Sequence, residues 1–187
     1  MFDHFGWLAP FYERVIPPPD PDRWLALLRL PVDGRLLDAG GGTGRVSGPL
    51  RPLVNQLVIS DESAKMLAQA RAHDRCCTVV GAAEKLPFGP DSFERIMVVD
   101  ALHHFADQRR AVAELLRVLK PGGRLVIEEP DLRYLSVKLL AVAEKVALMR
   151  SRFYTPAAIA QMAAVQGAET AVTGDGRFAA WIIADKP

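Results

Sequence analysis

The stretch LLDAGGGTGRVSG, residues 36–48, constrains the fold of this chain more than any other part of it. Five glycines stand at or after the end of a short apolar run, and Asp38 lies just ahead of them. Glycine inside a helix or strand costs roughly 0.5–1 kcal/mol relative to alanine, so such a cluster indicates a place where the backbone turns sharply or admits another molecule closely. The stretch therefore predicts a strand that ends in a tight turn beside a ligand.

Short apolar runs alternate with helical patterns over most of the chain. The predicted strands cover residues 34–40, 57–61, 76–82, 95–101 and 123–130. The helical patterns cover residues 22–30, 62–73 and 107–123, and the last of them ends in Pro-Gly-Gly. Strands that alternate with helices pair in parallel and are covered on both faces, so the sequence predicts an α/β fold with a Rossmann-like, doubly wound sheet.

Residues 168–187 follow a different pattern. Two β-rich runs flank Gly174, Asp175 and Gly176. Aspartate followed by glycine between such runs is a hairpin signal. We therefore expect a mostly parallel sheet that ends with an antiparallel C-terminal strand. The whole chain, residues 1–187, is predicted to be one domain because its length suits a single core.

The spacing of the glycines narrows the choice of ligand. A phosphate-binding loop of the GxxxxGK[ST] type needs a lysine after the cluster, and none follows. The dinucleotide fingerprint GxGxxG needs a third glycine at one of two positions, which are Arg45 and Ser47. What remains is GxGxG, formed by Gly40, Gly42 and Gly44, which suits a ligand with a nucleoside part and an amino-acid part.

From this loop onward the chain resembles the class I S-adenosylmethionine-dependent methyltransferases. More narrowly, it is similar to the type 11 group, which includes the quinone-biosynthesis C-methyltransferases. The resemblance covers residues 34–130 and rests on four blocks in the same order as in the family. The blocks are DAGGGTG, ISDESAKML, GAAEKLPFGPDSFE, and MVVDALHHFAD followed by LLRVLKPGGRLVIEEP.

The resemblance implies S-adenosylmethionine as cofactor, S-adenosylhomocysteine as its product, and no metal ion. The glycine loop would hold the methionine part, with Asp38 orienting its amino group. Asp61 would accept hydrogen bonds from the ribose hydroxyls, as carboxylates do in dinucleotide sites, and Met66 would pack on the adenine. The implied cofactor-binding residues are Asp38, Gly40, Gly41, Gly42, Asp61, Glu62, Met66, Ala82, Ala83, Glu84 and Asp100.

The chain departs from the family at the adenine-binding loop. The family often has an aspartate just before the Ala-Glu pair, where this chain has Ala82. We therefore expect backbone groups of Ala82 and Ala83 to contact the ring. Simpler interpretations stay open for three signals: the glycine cluster as a plain strand-to-helix turn, Asp61 as a helix N-cap, and Glu84 as a solvated loop acid.

His103 and His104 follow the fourth predicted strand, which in the family lines the methyl-transfer site. Either histidine could deprotonate or orient an acceptor, because histidine titrates near neutrality, and packing is the alternative. Methyl transfer does not require a base, since alignment of the acceptor does most of the work. Residues 1–22 are a candidate lid, and a helix within residues 131–155 is a candidate cap over the acceptor; both have plain packing as the alternative.

Composition bears on partners and location. The net charge of +1 gives no basis for binding nucleic acid or an anionic membrane. DALHH at residues 100–104 also lacks the Asn/Asp-Pro-Pro-Tyr motif with which related enzymes methylate nucleobase amines.

The chain has no uncharged apolar run of the roughly 20 residues that span a bilayer, and its start lacks a signal-peptide pattern. The adjacent Cys76 and Cys77 fit reduced thiols, so we expect a cytoplasmic protein.

These observations predict a methyltransferase that uses S-adenosylmethionine and a small acceptor. The resemblance to the quinone-biosynthesis enzymes makes a quinone-like or phenolic ring the first choice of acceptor. Two alternatives stay open: a non-catalytic S-adenosylmethionine-binding module, and a nicotinamide-dependent Rossmann oxidoreductase, which the glycine spacing disfavours. The sequence names neither the methylated atom nor the oligomeric state.

Overall fold

A computed structural model of the chain describes residues 20–74, 76–131, 133–134 and 152–187. They form one seven-stranded sheet with helices packed on both faces. The candidate lid, residues 1–22, and the candidate cap, residues 131–155, lie mostly outside the described residues. Residues 152–155, at the end of the candidate cap, are not helical and lead into a helix.

The described residues contain seven strands and four α-helices. The strands are β1 (Val32–Ala39), β2 (Val54–Asp61), β3 (Cys77–Val80), β4 (Phe93–Val99), β5 (Leu119–Pro130), β6 (Glu169–Gly174) and β7 (Ala179–Asp185). The helices are α1 (Pro21–Leu28), α2 (Ala64–Asp74), α3 (Gln108–Val118) and α4 (Pro156–Ala164). In the sheet the strands lie in the order β3-β2-β1-β4-β5-β7-β6.

Strands β1 to β5 are parallel, and β7 is antiparallel to both of its neighbours. The α/β prediction is therefore confirmed, and so is the antiparallel C-terminal strand. The C-terminal hairpin forms one end of the sheet, and within it β7 lies between β5 and β6, so that β6 is the edge strand. Burial explains the order: Ala180, Trp181 and Ile182 are buried, whereas every residue of β6 is exposed and suits an edge.

The end of α3 also differs from the sequence prediction. The helical pattern continues to residue 123, but α3 ends at Val118. Leu119 is extended and completely buried, and it pairs with Phe93 of β4. Pro121 disfavours helical backbone at the residue before it. The Pro-Gly-Gly sequence therefore lies within β5, where the register against β4 shifts.

Prolines shape two further segments. Between β1 and β2 the chain forms a 3₁₀ helix, Gly48–Leu53, which includes Pro52, and proline is poorly compatible with an α-helix interior. Helix α4 is not among the predicted helices, although its start carries a recognisable signal. The Thr155 hydroxyl accepts the N–H of Ala158 at 3.3 Å, and Pro156 opens the helix.

Apolar side chains are buried on both faces of the sheet. One core contains α3 and α4 with Leu37 and Ile127 of the sheet, and the other contains α1 and α2 with Leu36 and Met97. Because β1 to β5 are parallel, their carboxyl ends lie along one edge. Doubly wound sheets bind their ligands at that edge, so the fold places the candidate site there.

We expect Phe93→Ala to lower the free energy of unfolding by about 3–5 kcal/mol. The ring is completely buried, meets Phe88 edge-on at 4.9 Å between centroids, and lies 4.5 Å from the Arg35 guanidinium. Urea unfolding followed by circular dichroism measures the change. Val165→Ala, at a residue that is 69% exposed, is the control and should change it by less than about 0.5 kcal/mol. Equal losses would contradict the core position of Phe93.

Candidate cofactor and acceptor site

The glycine loop at the end of β1 lies close to the turn after β4 and to helix α2. Gly40 and Gly42 have positive φ angles of 72° and 54°, which side chains rarely adopt. A Cβ on Gly40 would lie 2.7 Å from the Cβ of Ala101, after β4, and one on Gly42 would lie 2.6 Å from the Cε of Met66 on α2. The lack of a side chain at Gly40 therefore lets the turn after β4 approach the end of β1 closely.

Asp38 is a buried carboxylate beside this loop. It is 2% exposed, and a Cβ on Gly41 would overlap its carboxyl group. Burial raises the pKa of Asp38 to about 7, the Ser47 side chain lowers it, and the Asp61 carboxylate raises it further. Ser47 hydrogen-bonds only weakly to the carboxyl group, and neither Asp38 Oδ1 nor Ser47 Oγ has another partner within the described residues. The site thus holds a buried acceptor that suits a cationic donor.

Asp61 joins the glycine loop to the start of α2. Its Oδ2 accepts the N–H of Gly42 at 3.0 Å, and its Oδ1 accepts the N–H of Ser63 at 2.7 Å. The N-cap role falls to Ser63, whose hydroxyl accepts the N–H of Met66 at 3.3 Å. Each Asp61 oxygen keeps a second acceptor direction for a ligand hydroxyl. Glu62, next in the chain, is exposed.

The third block forms the loop after β3. The N–H of Gly81 donates to the Asp61 carbonyl at 3.0 Å, so this loop lies beside the end of β2. Ala83 is buried, and the Ala82 carbonyl accepts the N–H of Lys85 at 3.1 Å. Glu84 accepts the N–H of Asp107 at 3.0 Å, so it braces the start of α3. A contact of Ala82, Ala83 or Glu84 with adenine stays a prediction.

Asp100 follows the last residue of β4 and has a left-handed conformation. Its φ is +49°, and its N–H donates to the carbonyl of Glu128 in β5 at 3.0 Å. Such a conformation is strained for a residue other than glycine and concentrates at functional sites. The turn brings Ala101 against Gly40 and leads directly into a short 3₁₀ helix, Leu102–His104.

His103 is fixed by groups that the sequence did not reveal. Its Nδ1 lies 2.7 Å from Oε2 of Glu129, and both residues are buried. Its ring stacks on Phe153, with centroids 4.4 Å apart and planes inclined by 15°. Glu129 lies in the fourth block without a distinguishing spacing, and Phe153 follows it by 24 positions in the chain. For Phe153, the only local signal was the Arg-Phe-Tyr sequence just before the Thr-Pro pair at which α4 starts.

His104 has a different environment from His103. The two rings are 4.0 Å apart between centroids. Burial, together with the neighbouring His103, lowers the pKa of His104 to about 3. His104 is therefore neutral at physiological pH and holds a proton only weakly, so the two histidines are not equivalent.

A cavity of about 210 Å³ lies at the opposite, amino-terminal edge of the sheet. Arg95 and Arg124 line it and donate to the carbonyls of Leu28 and Leu27 at the end of α1, and Arg124 also pairs with Asp185. These charges hold α1 against the sheet, and the cavity is separate from the candidate site.

Residues 37–127 match the family described as "Methyltransferase domain" (Methyltransf_11). The match covers just under half of the chain. The matched region runs from the end of β1 to β5 and includes the glycine loop, Asp61 and both histidines. The expected resemblance is thus confirmed over these residues, and the α/β sheet described above agrees with the fold that the resemblance implies.

Several curated proteins with similar sequences are also named as methyltransferases. An uncharacterized methyltransferase of Mycobacterium bovis is 37% identical over 125 residues, which are 65% of this chain and 49% of that protein. The demethylmenaquinone methyltransferase of Clavibacter sepedonicus is 41% identical over 104 residues, 53% of this chain and 42% of that protein. The chain therefore spans about half or less of the length of these curated relatives. A solved SAM-dependent methyltransferase of Aquifex aeolicus shares the fold, with a TM-score of 0.74, 16% identity and 98% of both chains covered.

The described residues lack two kinds of feature, a cluster of metal-binding side chains and a membrane-spanning helix. In those residues no three or more His, Cys, Asp or Glu side chains are grouped so that they could hold a metal ion. Over the same ranges, no helix has the length and apolar character needed to cross a membrane.

We expect Gly40→Ala to destabilise the methyltransferase domain by about 1–3 kcal/mol, because it combines an unfavourable φ with overlap on Ala101. Gly81→Ala is the matched control: a Cβ there meets only Pro87, at 3.9 Å, and its φ is not in the left-handed range. Chemical unfolding of both variants measures the difference. Equal stability of the two would show that β1 and β4 tolerate a larger separation at Gly40.

Proposed function

We propose that the chain is an S-adenosylmethionine-dependent methyltransferase that acts on a small, apolar or aromatic acceptor of the quinone or phenol class. The observation that carries this proposal is the buried carboxylate of Asp38 beside the glycine loop, whose Oδ1 has no well-formed hydrogen bond within the described residues apart from a weak contact with Ser47. A buried acceptor left without a donor costs free energy, so such an atom indicates a ligand donor. The ammonium group of S-adenosylmethionine is a donor of the right charge.

The rest of the glycine-loop region fits the same cofactor. Asp61 is placed within hydrogen-bond distance of Gly42, so a ribose bound at its carboxylate would lie next to the loop. Met66 contacts the loop from α2 and offers an apolar surface to a base. When bound, the cofactor supplies an activated methyl group. The chain then needs to bind the cofactor and the acceptor, to orient them, and to exclude water. These tasks account for most of the catalysis expected of it.

The acceptor class rests on the side chains past the ends of β4 and β5. Phe105 lies within 3.1 Å of a Cβ placed on Gly40, and Phe153 stacks on His103. Aromatic side chains favour a flat, apolar acceptor. The Clavibacter sepedonicus relative is named for a quinone substrate, which supports a quinol-like ring as the first choice for this chain.

S-adenosylhomocysteine and S-adenosylmethionine, but not NAD, should raise the unfolding temperature of the wild-type chain. A ligand at 100 times its dissociation constant adds about 2.7 kcal/mol of stability. Asp61→Asn should lose much of this increment, whereas Asp33→Asn, an exposed acid at the start of β1 that bonds to Asn55, should keep it. Stabilisation by NAD alone, or by none of the three ligands, would refute the proposal.

The raised pKa of Asp38 gives a second test. The unfolded carboxyl ionises near pH 3.8 and the folded one near 7. The folded state therefore holds the proton more tightly, and the free energy of unfolding should fall as pH rises from about 4 to about 7. The loss is at most about 4 kcal/mol. Asp38→Asn should remove this dependence in urea unfolding at several pH values.

Binding of the cofactor's ammonium group should reverse the effect of burial on Asp38. A cation beside the carboxylate lowers its pKa, so S-adenosylhomocysteine binding at pH 6 should release about one proton. Calorimetry in buffers of different ionisation enthalpy counts that proton. Asp38→Asn should bind without releasing it. Equal proton release by wild type and variant would remove Asp38 from the site.

A further inference from the structure

A row of charged side chains crosses the amino-terminal edge of the sheet. The strand register places Arg95 of β4 beside Arg124 of β5, and it places Arg124 beside Asp185 of β7. Side chains at the same register position on neighbouring strands point to the same face of the sheet. Two guanidinium groups and one carboxylate therefore stand side by side, and all three line the cavity of about 210 Å³ at this edge.

The C-terminal end of helix α1 adds a third guanidinium group to this row. Arg29 follows the last turn of the helix with a φ of +53°, and its side chain also lines the cavity. The Nε of Arg95 donates to the Leu28 carbonyl at 2.6 Å. The Nη1 of Arg124 donates to the Leu27 carbonyl at 3.1 Å. The three positive groups thus gather at one helix end, where the helix dipole favours positive charge.

One carboxylate, that of Asp185, serves this group of guanidinium side chains. It accepts from Nε and Nη2 of Arg124 at 2.7 and 2.6 Å, and it lies 4.0 Å from Nη2 of Arg29. Arg95 forms no ion pair with a carboxylate among the residues that the structure describes, and its two hydrogen bonds go to backbone carbonyls. The charge of Arg95 is therefore left uncompensated beside the cavity.

Two further charged residues line the cavity, and neither neutralises Arg95. The Nζ of Lys186 donates to Asp91 at 2.7 Å and to two backbone carbonyls, which uses all three of its hydrogens. Glu169 lies on the edge strand β6, three strand spacings from Arg95 in the sheet order. At the usual spacing this distance is about 14 Å, which is too far for an ion pair. The cavity therefore keeps an excess of positive charge.

The guanidinium groups also weaken one another's charged form. Burial lowers the pKa of Arg95, and the neighbouring Arg124 and Arg29 lower it further. Asp185 and Glu94 act in the opposite direction and raise it. Arginine nevertheless stays protonated in proteins, so the like charges repel across the cavity. An anion bound between them would remove this repulsion.

We propose that this cavity binds a small soluble anion that carries a phosphate group. Guanidinium groups suit phosphate because their planar fork donates hydrogen bonds in pairs. The volume of about 210 Å³ lies below the roughly 300–1,000 Å³ of pockets for drug-sized ligands, so it suits a phosphate group with a short substituent or none. The inference is independent of the proposed function, because the cavity lies at the edge of the sheet opposite the glycine loop.

A soluble anion is favoured over a lipid headgroup. Sites that bind anionic membranes combine positive charge with apolar side chains that enter the lipid. In the described ranges the exposed large apolar residues are Val80, Val165, Val172 and Phe178, and none of these four lines the cavity. The net charge of +1 gives the chain no general attraction to an anionic surface either.

Arg29→Gln is the first variant, because it removes one charge and leaves the hydrogen bonds between α1 and the sheet in place. Arg29 is exposed, and the 4.0 Å approach to Asp185 is its ion pair, so we expect the variant to fold. Arg95→Gln is the second variant and removes the uncompensated charge itself. Arg71→Gln is the matched control, since this exposed arginine of α2 bonds to Thr78 and does not line the cavity.

Proton–nitrogen NMR of the full chain measures the binding through the Nε–H signals of Arg95 and Arg124. Sodium phosphate is added at about pH 7.5, where phosphate is mostly dianionic, and sodium chloride keeps the ionic strength constant. We expect saturable shifts in wild type. The phosphate affinity should fall about threefold to fivefold in Arg29→Gln and roughly tenfold in Arg95→Gln, and it should not change in Arg71→Gln.

Three results would overturn the inference. The first is the lack of a saturable shift in wild type, and the second is equal phosphate affinity of Arg29→Gln and Arg71→Gln. The third is co-sedimentation of wild type, but not of Arg95→Gln, with vesicles that contain phosphatidic acid, because it would replace the soluble anion by a lipid. Calorimetric binding of S-adenosylhomocysteine should be the same with and without phosphate. Loss of that binding would count against the proposed function alone.

Discussion

The close contact between Gly40 and Ala101 is the constraint on which the rest of the site depends. The N–H groups of Gly40 and Gly41 both donate to the Ser60 carbonyl, at 2.8 and 3.2 Å, which ties the loop to β2. The absence of a side chain at Gly40 lets the turn after β4 come within contact of the same loop. Residues that would hold a cofactor and residues that would meet an acceptor are therefore fixed in one frame. Methyl transfer depends on alignment, so a rigid frame of this kind matters more than any single functional group.

Buried carboxylates at the carboxyl edge of the sheet have different partners, and the difference separates function from structure. Glu129 accepts from Leu102 and lies against His103, and Asp131 binds the Arg133 side chain and amide. The hydrogen bond from Arg133 is the main reason that the pKa of Asp131 is lowered. Asp38 has its Oδ1 unsatisfied within the described residues, and burial raises its pKa. A fold selected for stability alone would gain by replacing such a group with an apolar side chain. The cost at Asp38 is consistent with its proposed role in binding the cofactor.

The sequence indicated the elements whose signals are local and left open those that tertiary packing decides. The glycine loop, the parallel strands and the hairpin at Asp175 each carry a short pattern, and the structure has them in place. Helix α3 ends early because Leu119 is needed in the core against Phe93, and a helical pattern does not report that competition. Strand β7 lies inside the sheet because its own side chains are buried on both faces, which only the packed fold reveals. Glu129 and Phe153 meet His103 from distant parts of the chain, so no spacing in the sequence could have joined them.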